Sequence, residues 1–376
     1  MEQRNKTMVE EFILLAFVDL HHIQNFIFLF FMLTYITCVI ENIAIITIVR
    51  IAQSLHKPMY FFISVFSTLE ILFVSVTVPK LLAILIADSK TISFNGCIVQ
   101  MYFLNSLGVT ECYLLVVMVF DRYLAINKPL HYPTIMTHSV CIALAIFPWI
   151  FGFSICLILA IITTQLEFCG PNIIDHFFCD LAPLQTLACS DTSISSFSTS
   201  IATVINVVLP FLIIIGFYIR ILNTVTKIRS KDGKQKAFST CTSHLIVAGL
   251  FYGAAIIVYI KPKGSHYDKY LTFMYTAFTP TINPFIYTFR NRDVKKAFIK
   301  SERIRLCRKS QKWALFFCDL PIFLSGATTS QTTCRTLNPG RRLVYPYAEP
   351  TQMVGCCHHP AGCVFLGTLF MIKRFF

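Results

Sequence analysis

Seven long apolar segments, separated by short polar loops, dominate the pattern of hydrophobic and polar positions along the chain. An α-helix needs about 20 apolar residues to cross a hydrocarbon core of about 30 Å, and each segment reaches that length. None shows the alternation over roughly ten residues that marks a membrane β-strand. The pattern therefore predicts an all-α membrane protein, a bundle of seven transmembrane helices at Asn25–Val49, Met59–Ile86, Ile98–Phe120, Val140–Ile162, Ser198–Leu222, Ala237–Ile260 and Tyr270–Phe289.

The basic residues lie mainly in alternate loops between the predicted spans. Arg50 and Lys57 occupy the first loop, Arg122 and Lys128 the third, and a cluster of lysines and arginines between residues 227 and 236 the fifth. Cytoplasmic loops of membrane proteins carry such an excess, whereas the second and fourth loops here are poor in Lys and Arg. We therefore expect the N-terminus outside the cell and the C-terminus in the cytoplasm. The sequon that begins at Asn5 would then be exposed to glycosylation.

The composition narrows the class of protein. Hydrophobic residues make up 55% and charged residues 14% of the 376 residues, against about 25% charged residues in a typical soluble protein. The net charge of +13 does not indicate nucleic-acid binding, because the basic residues form short clusters between apolar segments. Ser243 and His244 do not form a catalytic pair, since neighbours on a helix do not face each other. We predict a non-enzymatic, multi-pass plasma-membrane protein with no nucleic-acid partner.

Four of the fifteen cysteines lie on the predicted extracellular side. Cys97 begins the third span, and Cys169, Cys179 and Cys189 are evenly spaced in the long fourth loop. Disulfides persist in that oxidising compartment, but four cysteines allow three connectivities, and their spacing does not choose among them. Cys97 and Arg122 are 25 positions apart, which is about 37 Å along a helix. They therefore mark opposite faces of the membrane.

Two acidic residues lie near the middle of predicted spans. Glu70 is about 18 Å and Glu111 about 16 Å from the cytoplasmic face, at 1.5 Å per helical residue. A charged side chain at the centre of a bilayer is costly, so each acid needs a partner. Two interpretations stay open. Either the two carboxylates share a cation or a proton, with Asn42 and Asn283 completing a polar cluster, or each is separately protonated and hydrogen-bonded to the backbone.

Six longer motifs follow one another along the chain. They are "KPMYFFIS" at 57–64, "VPKLL" at 78–82, "MVFDRYLAINKPLHY" at 118–132, "HFFCD" at 176–180, "KAFSTCTSHL" at 236–245 and "PTINPFIYTFRN" at 280–291. With these motifs in this order, the chain from Val9 to Ile299 resembles the odorant receptors, a branch of the rhodopsin-like G-protein-coupled receptors. The resemblance implies a receptor that binds small volatile odorants and activates a heterotrimeric G protein of the stimulatory olfactory type, which raises cyclic AMP.

The resemblance also implies roles for individual residues. Cys97 would pair with Cys179, and Cys169 with Cys189. The residues of the G-protein switch would be spread over spans three, five and seven, at Asp121, Arg122, Tyr123, Tyr218, Asn283, Pro284 and Tyr287.

By the same resemblance, odorants would bind in the outer half of spans three, five, six and seven. An apolar pocket with a few hydrogen-bonding groups suits a small volatile molecule with one carbonyl, hydroxyl or ether group. The candidate lining residues are Met101, Asn105, Gly108, Val109, Leu181, Ala202, Thr203, Asn206, Tyr252, Ala255, Tyr259 and Thr276. The resemblance favours a sodium ion held by Glu70 and Glu111, and no other cofactor is expected.

The chain departs from the family pattern at several positions. Phe120 and Asn127 stand where Tyr and Cys are usual, and Glu41 and Phe217 replace a Gly and a Ser. None of these departures removes a switch residue. They mark the places where the folding or the basal activity of this chain is expected to differ from that of its relatives.

Three parts are predicted along the chain: an extracellular N-terminus at 1–24, the seven-helix bundle at 25–299, and an atypical, disordered cytoplasmic tail at 300–376. Two alternative functions remain open. A rhodopsin-like receptor for a non-odorant small molecule would have the same fold and switch. A small-molecule transporter would need polar residues along a through-path, often in internal repeats, and the sequence shows no repeat.

Overall fold

The described part of the chain consists mainly of long helices. The computed structural model describes residues 9–17, 22–86, 90–228, 230, 234, 241–242, 244–253, 279–290 and 293–300. In chain order the helices are α1 (Gln24–Ile51), α2 (Pro58–Ile86), α3 (Phe94–Asn127), α4 (Tyr132–Ile135), α5 (His138–Thr164), α6 (Leu181–Leu187), α7 (Ser193–Thr203), α8 (Leu209–Lys227), α9 (His244–Gly253) and α10 (Thr279–Arg290). A π-helical turn, Val204–Val208, joins α7 to α8, and residues 293–300 are also helical.

Within the described residues, five helical segments are long and apolar enough to cross a membrane. They are α1, α2, α3, α5 and the continuous segment Ser193–Lys227, which contains α7 and α8. These segments confirm the first five predicted spans as long helices. Of the sixth and seventh predicted spans, α9 and α10 cover parts, and residues 254–278 lie outside the described residues.

Helix α3 is the central helix of the described bundle. It packs against α2, α5 and α8, and 61% of its most apolar stretch is buried, against 22% for α1. Ser93 caps its start, because the Ser93 hydroxyl oxygen accepts a hydrogen bond from the Gly96 N–H. The helix continues past its predicted end at Phe120 and stops at Asn127. Residues 121–123 therefore lie within the helix and not beyond it.

The described structure is mostly helical, as predicted, and it also contains a small three-stranded β-sheet that the all-α prediction did not include. Strand β1 (Glu11–Leu14) pairs antiparallel with β2 (Thr91–Ser93) and parallel with β3 (Ile173–Ile174). Phe12 and Leu14 of β1 are fully buried. Backbone N–H and C=O groups outside helices still need hydrogen-bond partners, and here three separate segments supply them to one another.

Two hydrophobic clusters fill the bundle, one towards each end. One contains Phe12 and Leu14 together with Cys97, and we call this the disulfide end. The other contains Leu124 and Tyr218, and we call this the Arg122 end. Helices α1, α2, α3 and α5 contribute residues to both clusters, so these four helices form a frame that runs the length of the bundle.

Gly152 allows α5 to approach α3 closely. A Cβ atom at residue 152 would lie 2.7 Å from the Thr110 Oγ1 atom and 2.8 Å from the Ser106 carbonyl oxygen. Because the second of these is a backbone atom, a larger side chain would force the two helices apart. Small residues at such contacts are a common means of packing membrane helices.

Gly152→Ala is expected to destabilise the bundle by about 1–3 kcal/mol, the usual cost of overpacking a filled contact. The melting temperature in detergent and the surface expression in cells would measure the loss. Gly216→Ala is the matched control, since a Cβ atom at residue 216 meets no atom within 4 Å. Equal melting temperatures for the two variants would contradict the close packing of α3 on α5.

Candidate functional site

Asp121, buried at the Arg122 end of α3, accepts hydrogen bonds from two side chains. Arg122 forms an ion pair with the Asp121 Oδ2 atom through Nη2 and donates to the same atom through Nε at 3.0 Å. Tyr132 of α4 donates its hydroxyl to Asp121 Oδ1 at 2.6 Å. Burial and the Asp121 charge raise the pKa of Tyr132, so the hydroxyl keeps its proton and remains a donor. The arrangement holds the Arg122 guanidinium against its own helix.

An aromatic contact joins α3 to α8 beside this ion pair. The ring centroids of Phe120 and Phe217 are 5.8 Å apart, and those of Tyr123 and Phe217 are 5.1 Å apart. Phe120 and Phe217 are two positions at which the sequence departs from the family pattern, and the structure brings them together. Ring pairs of this kind contribute about 0.5–1.5 kcal/mol beyond the burial of their area. The sequence did not indicate this contact.

The other predicted switch residues lie on α8 and α10. Tyr218 of α8 is buried, and its hydroxyl has no hydrogen-bond partner among the described residues. It lies close enough to Arg122 for the two groups to interact electrostatically. Asn283 and Pro284 are buried in α10, whereas the side chain of Tyr287 lies outside the described residues.

Glu70 and Glu111 are both buried inside the bundle. The Asn283 Nδ2 atom donates to Glu70 Oε1 at 2.5 Å, and Glu111 lies close enough to Glu70 for two ionised carboxylates there to repel each other. Three buried oxygen atoms, one each from Glu70, Glu111 and Asn283, have no hydrogen-bond partner among the described residues. Oxygen ligands suit a hard cation such as sodium. In the described part of the chain, however, no three His, Cys, Asp or Glu side chains form a metal-binding group.

Helix α1 contributes less to this acidic pair than the sequence suggested. The Asn42 Nδ2 atom donates to the Cys38 carbonyl at 2.9 Å, and the Cys38 thiol donates to the Pro280 carbonyl at 3.4 Å. Asn42 therefore supports the contact of α1 with α10. Glu41 is partly buried with one unpartnered oxygen among the described residues, and nothing in the structure explains this departure from the family pattern.

One wall of the predicted odorant pocket lies within the described residues. The Asn105 Nδ2 atom donates to the Met101 carbonyl at 2.9 Å and to Asp180 Oδ1 at 3.4 Å, which ties α3 to the loop before α6. Asn206 lies in the π turn and is 3% exposed, and its Oδ1 atom has no partner in the described structure. Such turns within α-helices are frequent at functional sites.

The remaining candidate residues of the odorant pocket differ in how deeply they are buried. Leu181, Ala202 and Tyr252 are buried, and Gly108, Val109 and Thr203 are partly buried. The Tyr252 hydroxyl donates to the Cys112 carbonyl at 3.3 Å, so Tyr252 joins α9 to α3. The candidates Ala255, Tyr259 and Thr276 lie outside the described residues.

Two disulfides link the segments at the disulfide end. Cys97 is bonded to Cys179 with a Cα–Cα distance of 5.3 Å, and Cys169 to Cys189 with a distance of 5.8 Å. Buried Gln100 supports the first bond, because its Oε1 atom accepts the Cys179 N–H at 3.0 Å and its Nε2 atom donates to an α2 carbonyl at 3.1 Å. The sequence did not indicate this role, since a single glutamine near a helix start belongs to no motif.

The sequence is similar to known membrane receptors along most of its length. A family model described as "Olfactory receptor" matches residues 31–304. The chain belongs to the olfactory receptor family. It is 44% identical to Olfactory receptor 6N1 of Homo sapiens over 300 residues, which cover 79% of this chain and 96% of the relative. Olfactory receptor 6B1 of Homo sapiens is 44% identical (83% and 99% covered), and Olfactory receptor 6B9 of Mus musculus is 42% identical (79% and 95% covered).

Family membership establishes the broad properties of this olfactory receptor. Its relatives are receptors and not enzymes. Together with the long apolar helices, this identifies a multi-pass protein of the cell membrane with an odorant-receptor function. The family match ends at residue 304, and the predicted glycosylation site, Asn5, lies outside the described residues.

Cys97→Ala and Cys179→Ala are each expected to lower the stability of this olfactory receptor by about 2–5 kcal/mol, the usual effect of losing a native disulfide. The double variant should be no less stable than either single variant, because the same bond is lost once. Surface expression and melting temperature would measure these effects. Cys141→Ala is the control, since Cys141 is a buried free thiol. Additive losses in the double variant would contradict the pairing.

Proposed function

We propose that this olfactory receptor forms a seven-helix bundle at residues 25–299, with its N-terminus outside the cell and its C-terminus in the cytoplasm. In this proposal it binds small volatile odorants and activates a stimulatory olfactory-type G protein, which raises cyclic AMP. The observation that carries the proposal is the buried ion pair of Asp121 with Arg122, at the end of α3 opposite the Cys97–Cys179 disulfide. One end of α3 is held covalently, and the other by an interaction that can dissociate.

We assign odorant recognition to the pocket wall that α3 forms together with the π-helical turn Val204–Val208. Asn206 there is buried with an unpartnered carboxamide oxygen among the described residues. A buried polar atom without a partner costs about 1–3 kcal/mol. A volatile molecule with a hydroxyl group would remove that cost by donating to Asn206, while its apolar part contacts residues such as Met101 and Val109. A ligand shifts a conformational equilibrium only if it binds one state more tightly than the other. The hydrogen bond to Asn206 would supply such a difference in affinity.

The switch is assigned to the Arg122 end. In the active state Arg122 leaves Asp121, and the unpartnered hydroxyl of Tyr218 can accept a guanidinium N–H. A groove of about 400 Å³ at this end, lined by Asn127, Lys128 and His131, offers the G protein a surface next to the released arginine. Residues 300–376 form a cytoplasmic tail beyond the bundle in this proposal.

The acidic pair inside the bundle is the proposed sodium site. Glu70 and Glu111 would hold the ion, with Asn283 as a third oxygen donor, in keeping with their unpartnered buried oxygens. The cation would supply a positive charge that compensates the buried carboxylates.

Cells that express the full chain with a cyclic AMP reporter are expected to respond to a member of a volatile panel, and Arg122→Ala should reduce that response at least about tenfold. A loss of that size is expected because Arg122→Ala removes the charged donor that, in the proposed active state, bonds to the Tyr218 hydroxyl beside the G-protein surface. Arg50→Ala, at the exposed end of α1, is the control. A response that survives in Arg122→Ala would contradict the switch. No response to volatile molecules despite normal surface expression would contradict odorant sensing.

Asp121→Asn should raise cyclic AMP in the absence of odorant by about tenfold, because the amide lacks the charge that holds Arg122 in the resting state. The reporter signal at equal surface expression would measure this change. Asp191→Asn is the matched control, since Asp191 is exposed and bonds locally to Ser193. An unchanged or lower basal signal in Asp121→Asn would show that the ion pair does not hold the receptor at rest.

A further inference from the structure

An open groove runs between α2, β2 and the first turns of α3, on the outer surface of the bundle near the disulfide end. It has a volume of about 290 Å³, and its lining includes Val76, Lys80, Ile92, Val99 and Phe103. Val99 is 53% and Phe103 40% exposed, so in a membrane these side chains meet lipid. None of the five residues belongs to the switch or to the candidate odorant pocket.

Lys80 places a positive charge at one end of this groove. It precedes the last residue of α2, Ile86, by about 9 Å along the helix axis, and it is partly buried. Its ammonium group donates a hydrogen bond to the Thr91 carbonyl at 2.7 Å. An ammonium group has three donors, and within the described residues no carboxylate forms an ion pair with Lys80. A partly desolvated cation with donors to spare favours an anionic partner.

The second polar side chain of the groove, Gln100, is uncharged and only 7% exposed, and both of its polar atoms bond within the protein. Gln100 uses its Oε1 atom for the Cys179 N–H and its Nε2 atom for the Val76 carbonyl. Lys80 is therefore the lining side chain that can bind an anion. Its position near the end of α2 is also where a long basic side chain reaches the headgroup region of a bilayer.

From Lys80 towards the middle of the bilayer the groove is apolar, and its length fits within one leaflet. Phe103 lies about 10 Å further along α3 than Gly96, which lines the upper part of the groove. One leaflet is half of a hydrocarbon core of about 30 Å, so the groove extends through much, but not all, of its depth. The Phe103 ring packs edge-on against Phe153 of α5, with centroids 5.9 Å apart, so this part of the wall is held in place.

We propose that the groove binds one glycerophospholipid from the leaflet at the disulfide end, with its phosphate on Lys80 and one acyl chain against Val99 and Phe103. The charge and the depth of the groove both match this occupant. A sterol lacks the anionic group that Lys80 favours, and a free phosphate ion would leave the apolar wall uncovered. Because Lys80 also holds β2 through Thr91, the bound lipid stabilises the disulfide end of the bundle.

The test uses the full-length receptor, purified from nanodiscs that contain phosphatidylcholine and cholesterol, with native mass spectrometry of the molecules that remain bound. Lys80→Gln keeps a donor for the Thr91 carbonyl but removes the charge. It should lower the fraction of receptor that carries a phosphatidylcholine by about tenfold, as expected for the loss of a charged hydrogen-bonding partner. Lys80→Arg should retain the lipid. Lys90→Gln is the matched control, because Lys90 is a neighbouring lysine outside the groove lining.

Val99→Trp fills the apolar part of the groove and leaves Lys80 unchanged, so it keeps the test decisive if Lys80→Gln does not fold. It should lower lipid retention to a similar degree. Equal retention in the wild type and in both variants would overturn the proposal and leave Lys80 as a support for β2 alone. Retention of cholesterol instead of phosphatidylcholine would overturn it as well. A loss in Lys80→Gln but not in Val99→Trp would show an anion site without an acyl-chain site, and it would also overturn the proposal of a bound glycerophospholipid.

Discussion

Every backbone N–H and C=O group within a bilayer has to find its partner in the protein, because lipid offers none. This requirement makes each described membrane-crossing segment of the receptor a helix. It also directs the polar side chains: the Thr110 hydroxyl bonds to the Ser106 carbonyl, and Asn283 bonds to Glu70. Where the chain leaves the helices, the backbone pairs between segments instead, as β1 does with β2 and β3.

The central helix, α3, is held differently at its two ends. At the disulfide end, the Cys97–Cys179 bond and the hydrogen bonds of Gln100 connect it to α2 and to the loop between α5 and α6. At the Arg122 end, an ion pair and the Tyr132 hydroxyl hold Asp121. A covalent bond persists while a hydrogen-bonded pair can exchange partners. Conformational change is therefore expected at the Arg122 end, with the disulfide end as its fixed reference.

The positions that depart from the family pattern are not equally informative. Phe120 and Phe217 contact each other across α3 and α8, so two departures that lie far apart in sequence form one interaction. That interaction sits beside Arg122 and adds apolar contact between the two helices. Asn127 ends α3 and lines the groove at the Arg122 end, where its partners depend on what binds there.

The length and the hydrophobicity of the chain segments were sufficient to predict, among seven spans, the five long apolar helices found within the described residues, because the bilayer thickness and the rise of an α-helix are both constant. The order of the motifs was sufficient to indicate the family, and with it the candidate residues such as Arg122 and Asn206. Several of those candidates, among them Ala255 and Thr276, lie outside the described residues.

Contacts between segments could not be read from the sequence. Strand β1 is apolar at every position from Phe12 to Leu14, so it lacks the alternation that marks a strand, and its pairing depends on which loops meet it. The same holds for Gln100 beneath the disulfide, for Phe120 against Phe217, and for the groove at Lys80. Periodicity along a chain reports which face of a helix is apolar, whereas these features arise from the distance between residues of different helices and loops. Only the tertiary packing of the helices and the loops determines that distance.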